Sequence, residues 1–116
     1  MNEMWEILVP CNWNDGKPVR TRHHREWDMR VRDITGGLTI LKPGVGQWVY
    51  DGDLYTDRVI PVRVMADYNQ MRQIANITIA HYEQLAVMYY RVSGDCIVHD
   101  ACPAQRDKFI RGTGNE

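Results

Sequence analysis

"VIPVRVMADYNQMRQIANITIAHYEQLAVMYYRV", residues 59–92, changes its hydrophobic period twice. In its first part Val59, Pro61, Arg63 and Met65 fall on one side and Arg58, Ile60, Val62 and Val64 on the other, the two-residue repeat of a strand. From Asp67 the repeat lengthens: Met71, Ile74, Ala75, Thr78, His81 and Tyr82 recur at three and four and form one face of a helix. Asp67 with Gln70 three residues later predicts a capping box at its start. "LAVMYYRV" then returns to strand character. Pro61 cannot donate to a ladder, so its strand is either an edge there or faces a bulge.

The chain before this stretch repeats the order. In "WEILVPC" Trp5, Ile7, Val9 and Cys11 alternate with Glu6, Leu8 and Pro10, which predicts a strand with one buried face. "NWNDGKP" reads as a loop. A helix is expected from Thr21, with its hydroxyl as the cap, and it places His24, Trp27, Val31 and Ile34 on one face before the glycines at 36 and 37 end it. "LTILK" predicts a strand closed by a "PGVG" turn, and "QWVY" with "DGD" at 51–53 predicts a short hairpin. After residue 92, "SGD" at 93–95 predicts a turn into a last strand, "CIVH". Residues 1–100 form one domain on this reading, and 101–116 a mobile tail or an arm docked on a neighbour.

Strand, helix, strands, helix, strand with one apolar stripe per helix predicts an α+β, ferredoxin-like sandwich: an antiparallel sheet with two helices on one face. The other face has no cover from its own chain. Leu8, Ile60, Val62 and several tyrosines are expected there, so that face should meet a second copy in a dimer or trimer.

Composition removes several function classes. The 116 residues carry 14 Lys and Arg against 15 Asp and Glu, a formal net charge of -1, so no general field gathers nucleic acid or an anionic membrane. No apolar run approaches the ~20 residues of a membrane span, and the N-terminus lacks a signal-peptide pattern, so a cytoplasmic protein is expected. Cys11, Cys96 and Cys102 are odd in number and show no CxxC spacing, which argues against both a disulfide framework and a zinc site. No cofactor is implied.

Positive charge is nonetheless gathered locally in "VRTRHHREWD", residues 19–28, where Arg20, Arg22, His23, His24 and Arg25 crowd the start of the first helix. Cations there oppose the helix dipole by about 0.3–1 kcal/mol each, so something must offset them. Asp15, Glu26 and Asp28 are one offset; a bound anion is the other, because free N–H groups beside arginines suit phosphate. Metal is disfavoured. Adjacent His23 and His24 point about 100 degrees apart on a helix, and no third ligand follows at a useful spacing.

The series "TRHHREW", "GGLT", "GQW", "TDR", "VIPVRV" and "YEQLAVMYY" resembles, over residues 4–99, the small S-adenosylmethionine lyases of bacteriophages. It is also similar to a bacterial family of unknown function that shares "GLT", "GQW" and a following acidic residue. The lyase resemblance implies a pocket between subunits of a trimer, lined by a tyrosine and a glutamate that fall by position on Trp48 and Asp57. Trp has no phenolic hydroxyl and Asp is one methylene shorter. These side chains still suit stacking an adenine and accepting from a ribose hydroxyl.

Three function classes follow. The first is a homo-oligomer, phage-encoded, that captures a phosphate-bearing adenine-type nucleotide as a counter-defence protein would, through Arg20, Arg22, His23, His24, Arg25, Trp48, Asp57 and Tyr82. The second is a lyase that releases methylthioadenosine, with Asp57 catalytic. The third is an interaction module without ligand. S-adenosylmethionine has no phosphate and is cationic at sulfur, so the basic cluster and the two departures favour the first.

Overall fold

The computed structural model describes residues 2–92 and 96–112. Six strands and three helices follow in the order β1 (Glu3–Pro10), α1 (Thr21–Thr35), β2 (Thr39–Ile40), β3 (Gly44–Tyr50), β4 (Asp53–Ala66), α2 (Tyr68–Tyr82), β5 (Ala86–Arg91), β6 (Cys96–Asp100) and α3 (Pro103–Gly112). All strand pairs are antiparallel, in the spatial order β2-β4-β1-β5-β6, with β3 also paired to β4. This is the α+β, ferredoxin-like arrangement expected.

The core lies between the sheet and the helix layer. Trp5, Ile7 and Val9 of β1, Val62 and Val64 of β4 and Tyr89 of β5 bury one sheet face against Trp27 and Val31 of α1 and Met71, Ile74, Ile79 and Tyr82 of α2. Trp27 donates through Nε1 to Thr78 Oγ1 (2.9 Å), which joins the two helices inside the core. Val62 therefore does not lie on the open face as expected, and Ile60 packs partly against the core. The cause is register: Val62 pairs with Ile7 and Val64 with Trp5, so β4 turns its even-numbered side chains toward the helices. The open face carries Met4, Glu6 and Leu8, with Pro61, Arg63, Met65, Met88 and Tyr90.

Pro61 sits inside a strand paired on both sides, and the ladder accommodates it by a bulge in the neighbouring edge. Its carbonyl accepts from Leu41 N (2.9 Å), so its missing N–H would also point to that edge. There the four steps from Ile40 to Gly44 run opposite three from Val62 to Val59. The "PGVG" turn is thus a bulge, with Gly44 already in β3. The hairpin turn lies at Asp51 and Gly52, both with positive φ (52° and 83°), as a two-residue loop with the strands' own twist requires.

Two helix ends differ in how they are capped. At α2 the expected box is present: Asp67 Oδ1 accepts from Gln70 N (2.8 Å) and Gln70 Oε1 from Asp67 N (2.9 Å). At α1 Thr21 is already helical, the N-cap is Arg20 in extended conformation, and no side chain caps it. Gly36 ends α1 in the left-handed conformation at φ 88°. The segment expected as a tail is helical over Pro103–Gly112, and Phe109 is buried against the chain's own core. The "SGD" turn at 93–95 lies outside the described residues. Among the described residues, no helix is long and apolar enough to cross a membrane.

Candidate functional site

The loop between β1 and α1 is pinned to the far end of α2: Asn14 Nδ2 donates to the Glu83 carbonyl (2.8 Å). This brings the start of α1 beside the last turn of α2, and four rings meet there. His23 and His81 stack with centroids 3.8 Å apart, Trp13 lies 4.8 Å from His23, and Tyr82 meets both histidines edge-on. His23 Nε2 donates to the His81 carbonyl (2.6 Å) and His81 Nε2 to the His23 carbonyl (2.8 Å), a reciprocal clasp between the helices. His24 Nδ1 and the Tyr82 hydroxyl share a hydrogen bond of 2.7 Å. Burial, then the charges of His23 and His81, hold His24 below the usual histidine range; burial likewise lowers His81. Tyr82 is fully buried and its hydroxyl is pushed far above the usual phenol range, first by burial.

Outside this ring cluster a cleft of about 240 Å³ is lined by Arg20, Arg22, His23 and Glu26. The first turn of α1 contains no acidic residue. Of the three acids expected to offset the cations, Asp15 accepts from Lys17 N within its loop, and Asp28, raised by burial, faces Arg32. Glu26 approaches Arg22 at 3.9 Å and His23 at 4.0 Å, but the Arg22 side chain is 90 % exposed, so that contact is weak. Among the described residues, Arg20 and Arg25 make no ion pair. The uncapped start of α1 therefore carries surplus positive charge beside the cleft.

The second set stands on the hairpin of β3 and β4. Trp48 pairs with Tyr55 across the strands, rings stacked at 6.4 Å, and Gly46 pairs with Asp57 two residues closer to the sheet. Tyr55 and Asp57 share the odd-numbered face of β4 with Pro61 and Arg63, which is the open face. Neighbouring atoms desolvate Asp57 and raise its carboxyl above the usual range. Among the described residues, no hydrogen bond or ion pair joins this set to the basic cleft, and the sheet separates the two.

Sequence reasoning missed three parts. His81 was assigned only to the apolar face of α2, whereas the clasp with His23 puts it beside the cleft. Tyr55 follows from pairing with Trp48 once the hairpin register is known. Glu6 was assigned to strand alternation alone. Its side chain, 11 % exposed on the open face, takes Arg63 Nε at 2.8 Å and the Tyr90 hydroxyl. Burial alone would raise its pKa, but the bonds from Tyr90 and Arg63 outweigh that and the net shift is downward.

The Glu6 shift sets a pH dependence. A carboxyl lowered in the folded state stabilises the fold above its unfolded value of 4.5, and this is lost as pH falls through the lower folded value. Chemical denaturation from about pH 6 down to about pH 3 should therefore show a steeper loss of stability in the parent than in Glu6→Gln. Parallel curves would mean that Tyr90 and Arg63 do not hold the ionised form.

No protein-family model matches the sequence, nor does any curated protein. Solved structures share the fold at low identity. A phage SAM lyase in complex with S-methyl-5'-thioadenosine matches with a TM-score of 0.65 and 13 % identity over 86 % of this chain and 90 % of that one. The phage SAM lyase in its apo state gives 0.64 and 12 % over 87 % and 91 %. The divalent cation tolerance protein CutA1 from Thermus thermophilus gives 0.58 and 11 % over 92 % and 90 %.

Proposed function

We propose that the chain is a homo-oligomeric binding protein that captures a phosphate-bearing, adenine-type nucleotide at the junctions between copies, in the cytoplasm of a phage-infected bacterium. The observation that carries this reading is the pair of half-sites. An uncapped helix start with Arg20, Arg22 and Arg25 suits phosphate, and a stacked Trp48 and Tyr55 beside the Asp57 carboxylate suits an adenine and a ribose hydroxyl. Because the two lie on opposite sides of one sheet, the base is held by one copy and the phosphate by a neighbour. Fold likeness to a lyase that holds S-methyl-5'-thioadenosine supports the adenine part.

The test is calorimetry with adenosine phosphates and mass analysis of whatever small molecule co-purifies. Charge-assisted hydrogen bonds contribute about 1.5–3 kcal/mol, so Arg22→Ala and Arg25→Ala should each weaken binding by roughly tenfold or more and reduce its salt dependence. Neither should lower Tm, because each removes a cation from a helix start. Trp48→Ala should weaken binding with the salt dependence unchanged. Arginine variants with unchanged affinity and lower Tm would make the cluster structural and remove the nucleotide reading.

The second reading is an S-adenosylmethionine lyase, favoured by the position of Asp57 on the open face. On that reading S-adenosylmethionine yields methylthioadenosine and Asp57→Ala abolishes it. Tight nucleotide binding without this product, in both proteins, excludes it.

A further inference from the structure

The clasp between α1 and α2 has a chemical consequence independent of any nucleotide. A carbonyl oxygen only accepts, so both bonds of the clasp require the proton on Nε2 of His23 and on Nε2 of His81. Each neutral ring then keeps its lone pair on Nδ1. This is how a metal-ligating histidine is ordinarily prepared: one ring nitrogen donates to a carbonyl, which fixes the tautomer and orientation, and the other is left for the ion. Glu26, one helical turn beyond His23, brings a carboxylate oxygen to 4.0 Å from His23 Nδ1.

We propose that His23, His81 and Glu26 form a binding site for a first-row transition-metal ion of the Zn²⁺ class, with Nδ1 of both imidazoles and one Glu26 oxygen as ligands. One candidate ligand atom from each residue lies within 4.8 Å of the other two. A tetrahedral ion with bonds of about 2.1 Å holds its ligands roughly 3.4 Å apart, so closure needs movement of about 1 Å. Glu26, exposed and held among the described residues by its two long contacts, supplies the part between itself and His23, and the imidazoles supply the rest. The rings must also splay from their 26° stack so that each lone pair points at the ion. Two nitrogens and one oxygen leave a fourth position for water. Imidazole selects Zn²⁺, Ni²⁺ or Cu²⁺ over Mg²⁺, and Arg20 and Arg22 beside the cleft disfavour a hard cation that depends on charge alone.

Zn²⁺ alone, titrated into the tag-free full chain without nucleotide, should bind saturably at one ion per chain, and Mg²⁺ should give no heat. Nitrogen spectra of the histidine side chains should show the Nδ1 signals of His23 and His81 shifting while both Nε2 sites stay protonated. His23→Ala and Glu26→Gln should each weaken Zn²⁺ binding by about tenfold or more. Absent saturable binding, unchanged affinity in Glu26→Gln, or spectral changes at His99 in place of His23 and His81 would overturn the site. Should His23→Ala fail to fold, the exposed Glu26→Gln and the parent's spectra decide. Because no nucleotide is present, loss of the nucleotide reading leaves this result standing, and the converse holds.

Discussion

Trp27→Ala is expected to lower folding stability by about 3–5 kcal/mol. Trp27 has no exposed surface, fills the space between α1, α2 and the sheet, and gives its only side-chain N–H to Thr78. Truncation leaves a large cavity that the close-packed core closes only in part. Trp27→Phe should cost less, since Thr78 still donates to the Ile74 carbonyl at 2.7 Å and keeps one partner. Urea unfolding of the two variants checks the order. A loss under about 1 kcal/mol for the alanine variant would mean that α1 is not seated on the core as described.

The second large effect concerns assembly. Val45, Trp48, Val49, Tyr50, Leu54 and Tyr55 are all exposed on the hairpin, and they occupy both of its faces. So much apolar surface on one arm, continuous with the open sheet face, fits a surface covered by other copies. Sedimentation at micromolar concentration should show a dimer or trimer and no stable 13.6 kDa species. Val49 and Leu54 pair directly, so Val49→Lys with Leu54→Lys places two like charges opposite each other in the arm. That variant should sediment as a 13.6 kDa monomer with its core intact, since neither side chain is buried. A monomeric parent would remove the junction site with the oligomer.

What could be read in the sequence was what depends on neighbours in the chain. The capping box of Asp67 and Gln70, the Gly36 stop and the Asp51–Gly52 turn each rest on a few consecutive residues whose chemistry admits few conformations. The face of Val62 was not legible, because alternation tells which residues share a side and not which side meets the helices. Thr21 misled for a related reason: residue type favours it as a cap, yet the Arg20 carbonyl accepts from His23 N and His24 N and sets the helix start one residue earlier. The candidate ligand residues were named from sequence as one set, and their division by the sheet was not legible. His23 and His81 are 58 positions apart and become partners only after the loop from β1 is tied to the end of α2.

The interruption between β2 and β3 has a further consequence, for what the chain does in a crowded solution. Beside β4, an intact outer strand would offer an unbroken row of unpaired N–H and C=O groups, the template on which sheets grow edge to edge into aggregates. Here that rim is a strand of two residues, then a bulge containing Pro43, which has no N–H, and only then β3. An intruding strand finds no register that runs unbroken from β2 into β3. The rim over the sheet is thus broken at the bulge, and the continuous outer edge of β3 lies on the apolar arm that other copies are expected to cover.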